Sequence, residues 1–150
     1  MMKNATIVYA SLTGNTEEIA EFLVDEFKSH DVEVELIEAD DADEDSFADA
    51  DICVVATFTY TDGDVPDDLE DFFEELLDQD LAGKVFGVVG SGDDDMHHAT
   101  FCNAAIEFDK TFEKTGAVRG SELVKIDNAY DDDDVPALKA FVKNVVEFEA

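Results

Sequence analysis

Three apolar runs, each too short for a globular helix, are spaced along this chain with amphipathic stretches between them. They occupy residues 6–9 (Thr-Ile-Val-Tyr), 52–56 (Ile-Cys-Val-Val-Ala) and 85–89 (Val-Phe-Gly-Val-Val). Runs of this length and character predict strands buried on both faces, the habit of parallel sheets. Val32, Val34 and Leu36 alternate with Glu33 and Glu35, so a further strand is expected at a sheet edge with one face open. Residues 118–126 make a fifth strand candidate. Apolar side chains in between recur at helical spacing: Ile19, Phe22, Leu23 and Phe27; then Leu69, Phe72, Phe73, Leu76 and Leu77. Phe101, Ala105, Phe108 and Phe112 form a third stripe, and Leu138, Phe141, Val142 and Val145 a fourth. Each stripe reads as core packing. The resulting order is β-α-β-β-α-β-α-β-α, with only a short Asp-rich turn or helical scrap between the second and third strands. Right-handed crossovers then put helices on both faces of a doubly wound α/β sheet. No linker, repeat or composition shift divides the chain, so residues 1–150 are expected to form one domain.

Composition narrows the function classes. Asp and Glu number 40 against 9 Lys and Arg, a formal net charge of -31, yet 45% of residues are hydrophobic and Phe alone occurs 12 times. Core material is therefore present, and disorder is not expected. Nucleic acid and anionic membrane surfaces are excluded as partners, because binding phosphate draws on Lys and Arg. Self-repulsion at this level calls for screening ions, so the expected habitat is the salt-rich cytoplasm of a halophile. Cys53 and Cys102 lie far apart, without the pairing of a disulfide framework or a zinc site. The first residues show no signal-peptide pattern, and no apolar stretch approaches membrane-spanning length. A soluble, cytoplasmic protein is expected.

In a doubly wound sheet, ligands bind outside the carboxyl ends of the strands, where strand order reverses. Three loops follow the relevant strands. In the first, Ser11-Leu12-Thr13-Gly14-Asn15-Thr16 leads into the helix around residues 17–27. Hydroxyls, an amide and a glycine sit at a helix N-terminus, whose unpaired N–H groups and positive dipole end suit a phosphate. Without the Gly-Lys-Ser/Thr of a P-loop, the pattern fits a terminal monophosphate held by neutral donors. Simple capping by Thr13 or Asn15 would need only one such residue.

At this point the chain resembles a known family. Tyr9-Ala10-Ser11-Leu12-Thr13-Gly14-Asn15-Thr16-Glu17 is similar to the phosphate loop of flavodoxins, small FMN-binding electron carriers. Residues 57–66, Thr-Phe-Thr-Tyr-Thr-Asp-Gly-Asp-Val-Pro, resemble their first isoalloxazine-clasping loop, and residues 67–77 the helix after it. Gly90-Ser91-Gly92-Asp93 followed by Phe101-Cys102 resembles their second flavin loop. The likeness covers essentially the whole chain. It implies a five-stranded sheet in the order 2-1-3-4-5, of the short-chain branch because no long insertion interrupts the fifth strand.

The resemblance also implies roles. Ser11, Thr13, Asn15 and Thr16, with backbone N–H groups from Leu12 through Gly14 to Thr16, would hold the FMN phosphate, and Thr59 would reach its phosphate or ribityl end. Tyr60 would stack on the flavin. Backbone groups around Thr61, Asp62, Gly63, Asp93 and Cys102 would bond its polar edges. Thr61 stands where the family commonly has Gly, and a β-branched residue adopts positive φ at greater cost. The resemblance therefore implies a weaker preference for half-reduced flavin here. Residues 94–100 run about two longer than usual, leaving either Met96 or His98 to cover the outer flavin face.

Other readings fall away. Residues 41–45 open like a calcium loop, but Ser46 and Ile52 occupy the positions of its bend and its closing ligand. The place after the first strand lacks the acids of a phospho-receiver domain. The expectation is a monomeric, low-potential FMN carrier, not an enzyme, shuttling electrons between reductase- or ferredoxin-type partners that present basic docking patches. The alternative is an FMN-dependent NAD(P)H:quinone reductase-like enzyme. No catalytic residues and no metal site are assigned.

Overall fold

The computed structural model describes residues 4–10, 15–42, 46–47, 50–58, 67–92, 103–127 and 132–148. Strand β1 (Asn4–Tyr9) is followed by α1 (Asn15–Ser29), β2 (Glu33–Glu38) and a single 3-10 turn (Ala39–Asp41). Next come β3 (Ile52–Phe58), α2 (Asp67–Leu77), β4 (Val85–Gly92) and α3 (Asn103–Lys114). The described chain ends with β5 (Val118–Arg119), β6 (Val124–Asp127) and α4 (Val135–Glu147). All strand pairs are parallel, and the sheet runs β2-β1-β3-β4-β5 with β6 also beside β4. The three central apolar runs are thus central strands. Among the described residues no helix is long and apolar enough to cross a membrane.

The fifth strand differs from the continuous segment expected over 118–126. β5 lies opposite Val85 and Phe86, and β6 opposite Val89 to Gly92, so residues 120–123 span only two residues of β4. The excess forms a bulge. Gly120 makes it possible: its N–H donates to the Phe86 carbonyl at 2.9 Å. A Cβ there would lie 2.4 Å from Val85 Cγ1. The edge strand also departs from simple alternation. Val34 packs inward, but Leu36 is 37% exposed, while Ile37 packs on the opposite face.

Each face of the sheet carries a helical layer. Ile19, Leu23 and Phe27 of α1 join Leu138, Phe141, Val142 and Val145 of α4 against Ile7, Ile52, Val54 and Val89. On the other face, Phe72 and Leu76 of α2 and Phe108 and Phe112 of α3 meet Val8, Val55, Phe86 and Val88. Phe47, from the Asp-rich stretch before β3, is fully buried in that second layer. Cys53 lies there too, and burial pushes its thiol up to about 12. It is a packed core thiol, as its apolar neighbours suggest.

Arg119, the sole arginine, ties the fifth strand to α3. Its Nε donates to Asp109 Oδ1 at 3.1 Å and its Nη2 to Asp109 Oδ2 at 2.5 Å, and Nη2 also reaches Glu113. The guanidinium lies 5.5 Å from the centre of the Phe86 ring. At the amino edge of the sheet, the Asn4 and Asp51 backbone N–H groups bond each other's side chains. Lys84 Nζ donates to the Ala50 carbonyl at 2.7 Å. The amino edge is therefore closed by short polar links, and the long connections leave from the opposite edge.

Candidate functional site

Because β1, β3 and β4 are parallel neighbours, the segments after them all leave the same edge of the sheet. In register, Tyr9 faces Ala56 and Ala56 faces Val89, so the three strands reach that edge side by side. The pairing extends one residue further, where the Ala10 N–H donates to the Ala56 carbonyl at 3.1 Å. From β1 the chain crosses to β2 on one side, and β3 lies on the other. The gap between β1 and β3 is therefore the topological switch point, the place where such sheets bind ligands. Residues 11–14, 59–66 and 93–102 connect these strands to α1, α2 and α3.

The helix after the first connection starts earlier than the sequence suggests. α1 begins at Asn15, so Asn15 and Thr16 belong to its first turn. Asn15 is thus part of the helix and not the cap preceding it. Thr16 is buried, 2% exposed. Glu17 and Glu18 also occupy the first turn. They share the positive end of the helix dipole with anything bound at its tip. The strands, for their part, run further than expected. Thr57 and Phe58 complete β3, and Gly90, Ser91 and Gly92 pair with Lys125, Ile126 and Asp127 as the end of β4. The second and third loops are shorter by those residues.

Of the residues singled out from the sequence, the main chain of Asn15 and the whole of Thr16 fall within the described structure. Ser11, Leu12, Thr13, Gly14, Thr59, Tyr60, Thr61, Asp62, Gly63, Asp93, Met96, His98 and Cys102 lie outside the described residues, in the three connections just placed.

Two further residues at this edge stand in those motifs but received no role from the sequence. Thr57 is fully buried at the top of β3, opposite Gly90 of β4. Its signal was a hydroxyl ending an apolar run. Tyr9 ends β1 half-buried, and burial raises its phenol pKa, with Glu17, Glu38 and Glu21 adding to the effect. The three carboxylates come from α1 and β2, so their convergence on one phenol is visible only in three dimensions.

The donor chemistry fits an FMN phosphate. Residues 11–16 offer hydroxyls, one amide and backbone N–H groups, with no cation, at the start of a 15-residue helix.

Residues 7–140 match the family model for flavodoxin. The chain is 35% identical over 143 residues to probable flavodoxin 1 of Bacillus subtilis (strain 168), covering 95% of this chain and 89% of that protein. Its fold superposes on the flavodoxin of Streptococcus pneumoniae TIGR4 with a TM-score of 0.90 and 44% identity, over 95% of this chain and 97% of that one. A short-chain flavodoxin associated with a PDU bacterial microcompartment gives a TM-score of 0.94 and 39% identity, over 97% and 98% of the two chains.

Proposed function

The chain belongs to the flavodoxin family, with FMN as its cofactor, and from that premise we propose that it is a low-potential carrier moving electrons between redox enzymes. The observation that carries the reading is that β1, β3 and β4 end side by side at the edge holding the β1/β3 switch point, the first of them followed in sequence by neutral phosphate donors and a 15-residue helix. When bound, the isoalloxazine supplies the redox chemistry, accepting and releasing electrons singly. The protein binds, orients and tunes it.

In this reading Ser11, Thr13, Asn15 and Thr16, with the N–H groups of residues 12–16, hold the phosphate, and Thr59 reaches the phosphate or ribityl end. Tyr60 covers one ring face and Met96 or His98 the other. Backbone groups near Thr61, Asp62, Gly63, Asp93 and Cys102 bond the polar edges of the ring. Asp62, Asp64, Asp67, Asp68 and residues 93–95 surround the ring with carboxylates, which disfavour additional negative charge and hold the second reduction at low potential. The same carboxylates steer partners that carry basic patches, an attraction that salt mutes. One chain with one FMN is the working unit, acting in the cytoplasm. The acid excess is an adaptation to salt, so FMN affinity and fold stability both fall as salt is removed.

The test is a visible spectrum of the purified protein in high salt, followed by reductive titration. A bound flavin reduced in two resolved steps is expected. No uptake of added FMN would overturn the assignment. Steady oxidation of NAD(P)H by quinone with the isolated protein would replace the carrier by an enzyme.

A further inference from the structure

We propose that Arg119 is a positioning residue for the flavin ring: from β5 it fixes the α3 end of residues 93–102, whose β4 end is held by β6. This role rests on the proposed binding of the ring by those residues. The two halves of the interrupted fifth strand grip the two ends of one connection. β6 pairs with Val89 to Gly92, the last residues of β4. β5 pairs with Val85 and Phe86 and carries Arg119, which reaches across to α3, the next helix after β4. Residues 120–123 lie between the two grips, anchored where the Gly120 N–H meets the Phe86 carbonyl at 2.9 Å. The bulge therefore sets how far apart the two grips stand.

The grip on α3 is directional. Nε and Nη2 of Arg119 meet the two oxygens of Asp109 at 3.1 and 2.5 Å, a two-point fork that fixes orientation as well as distance. Nη2 also reaches Glu113, four residues further along the same face of the helix. The guanidinium lies 5.5 Å from the centre of the Phe86 ring, which stacks on Phe112 at 4.8 Å. α3 is therefore held to the sheet twice, by Phe112 from the core and by Arg119 through Asp109 and Glu113. A single contact lets a helix pivot, whereas separated contacts fix its axis. Asn103, which starts α3, stands about 9 Å from Asp109 along that axis. Any tilt is carried to it, and through it to residues 93–102.

Without Arg119, the Asp109 carboxylate, whose side chain is 16% exposed, would sit poorly hydrated one helix turn from Glu113. Phe108 and Phe112 keep α3 packed on the sheet, so the charge is relieved by a shift of the helix towards water and not by its unfolding. Lysine at this position keeps the charge but lacks the planar fork.

Titration of the full chain with FMN in high salt, followed by visible circular dichroism of the bound flavin, tests the proposal. Arg119→Gln should weaken FMN binding by about threefold to tenfold, the worth of one hydrogen bond to the ring. Its dichroism, which reports how the ring is held, should change as well. Arg119→Lys should lose less affinity and still alter the dichroism, and it carries the test should Arg119→Gln not fold. Asp109→Asn combined with Arg119→Gln should bind FMN no more weakly than the worse single variant, because both remove the same contact. Val142→Ala, which weakens the layer on the other face of the sheet, should leave the dichroism as it is in the unaltered chain. Arg119 variants that lose thermal stability but keep both FMN affinity and dichroism would overturn this role alone. No uptake of FMN by the unaltered chain would overturn the proposed function and this role with it.

Discussion

The two faces of the sheet are packed by different chemistry. Beneath α2 and α3 the layer is built of rings: Phe86 of the sheet stacks on Phe112 at 4.8 Å, and Phe47 meets Phe112 at 5.7 Å and Phe72 at 5.5 Å. Beneath α1 and α4 the layer is mainly aliphatic, and the sheet makes room by omission. A Cβ on Gly87 would lie 2.5 Å from Cζ of Phe141. One layer depends on large side chains being present, the other on one being absent. The layers also serve different connections, since α2 and α3 follow residues 59–66 and 93–102 while α1 follows 11–14. Damage to the ring layer should thus reach residues 59–66 and 93–102, proposed to bind the flavin ring, and damage to the aliphatic layer residues 11–14, proposed to bind its phosphate.

The largest effect is expected at the ring that holds its layer together. Phe112→Ala removes the partner of both Phe86 and Phe47 and should cost about 3–5 kcal/mol by denaturant titration. In the aliphatic layer, Val142→Ala should cost less than half as much. Equal losses would dissolve the contrast between the layers.

Alkaline pH probes the same ring layer through Cys53. Its thiol stays protonated in the fold up to about 12, from burial first, with Lys84 opposing and Asp51 adding. The unfolded chain releases that proton near pH 8.5, so above this value the unfolded state binds fewer protons and stability falls. The contribution is whole below the unfolded pKa and is lost as pH rises towards 12. One proton corresponds to about 1.4 kcal/mol per pH unit. The stability of Cys53→Ala should accordingly decline less steeply over this range than that of the unaltered chain. Parallel declines would show that the thiol already ionises in the folded protein.

Gly87→Ala tests the aliphatic layer from its other side. The new methyl meets the buried Phe141 ring and, at 3.2 Å, Val145 Cγ1, at an expected cost of about 1–3 kcal/mol. Adding Phe141→Leu should recover part of that loss, because the two changes share one space. Strict additivity of the two losses would refute the fit of Phe141 over Gly87.

Much of this contrast was legible in the sequence, for reasons of period. Phe108 and Phe112, or Leu138, Phe141, Val142 and Val145, declare a buried face by spacing alone, and all are buried. Asp67–Leu77 forms a helix with the predicted bounds. Phe47 was not legible. A lone aromatic among aspartates has no period, and only the approach of Phe72 and Phe112 gives it a role. The break in the fifth strand was hidden likewise, because the tight space at Gly120 is set by Val85 and Val145, distant in sequence. At the site, the order and spacing of the three connections could be read, since the sheet fixes where they emerge. The carboxylates converging on Tyr9 could not, since they come from separate elements.

The smallest expected effect concerns how each layer's helix leaves it. α3 exits through Gly116 at φ 90°, a conformation that costs glycine little. α1 makes a similar exit through Asp31 at φ 61°. There the Val32 N–H donates to the Phe27 carbonyl and the Asp31 N–H to the Lys28 carbonyl, both at 3.1 Å. That bond pair defines a Schellman cap, in which the left-handed position is usually glycine. Aspartate tolerates it better than most residues but carries a negative charge to the negative end of the helix dipole. Asp31→Gly relieves both costs while adding backbone entropy to the unfolded chain, so a net gain of about 0.5 kcal/mol is expected. The helix-dipole share of the gain should shrink in high salt and the backbone share should not. Thermal unfolding of Asp31→Gly at two salt concentrations separates them, and a loss of stability at both would mean that the aspartate contributes more to this cap than its strain and charge remove.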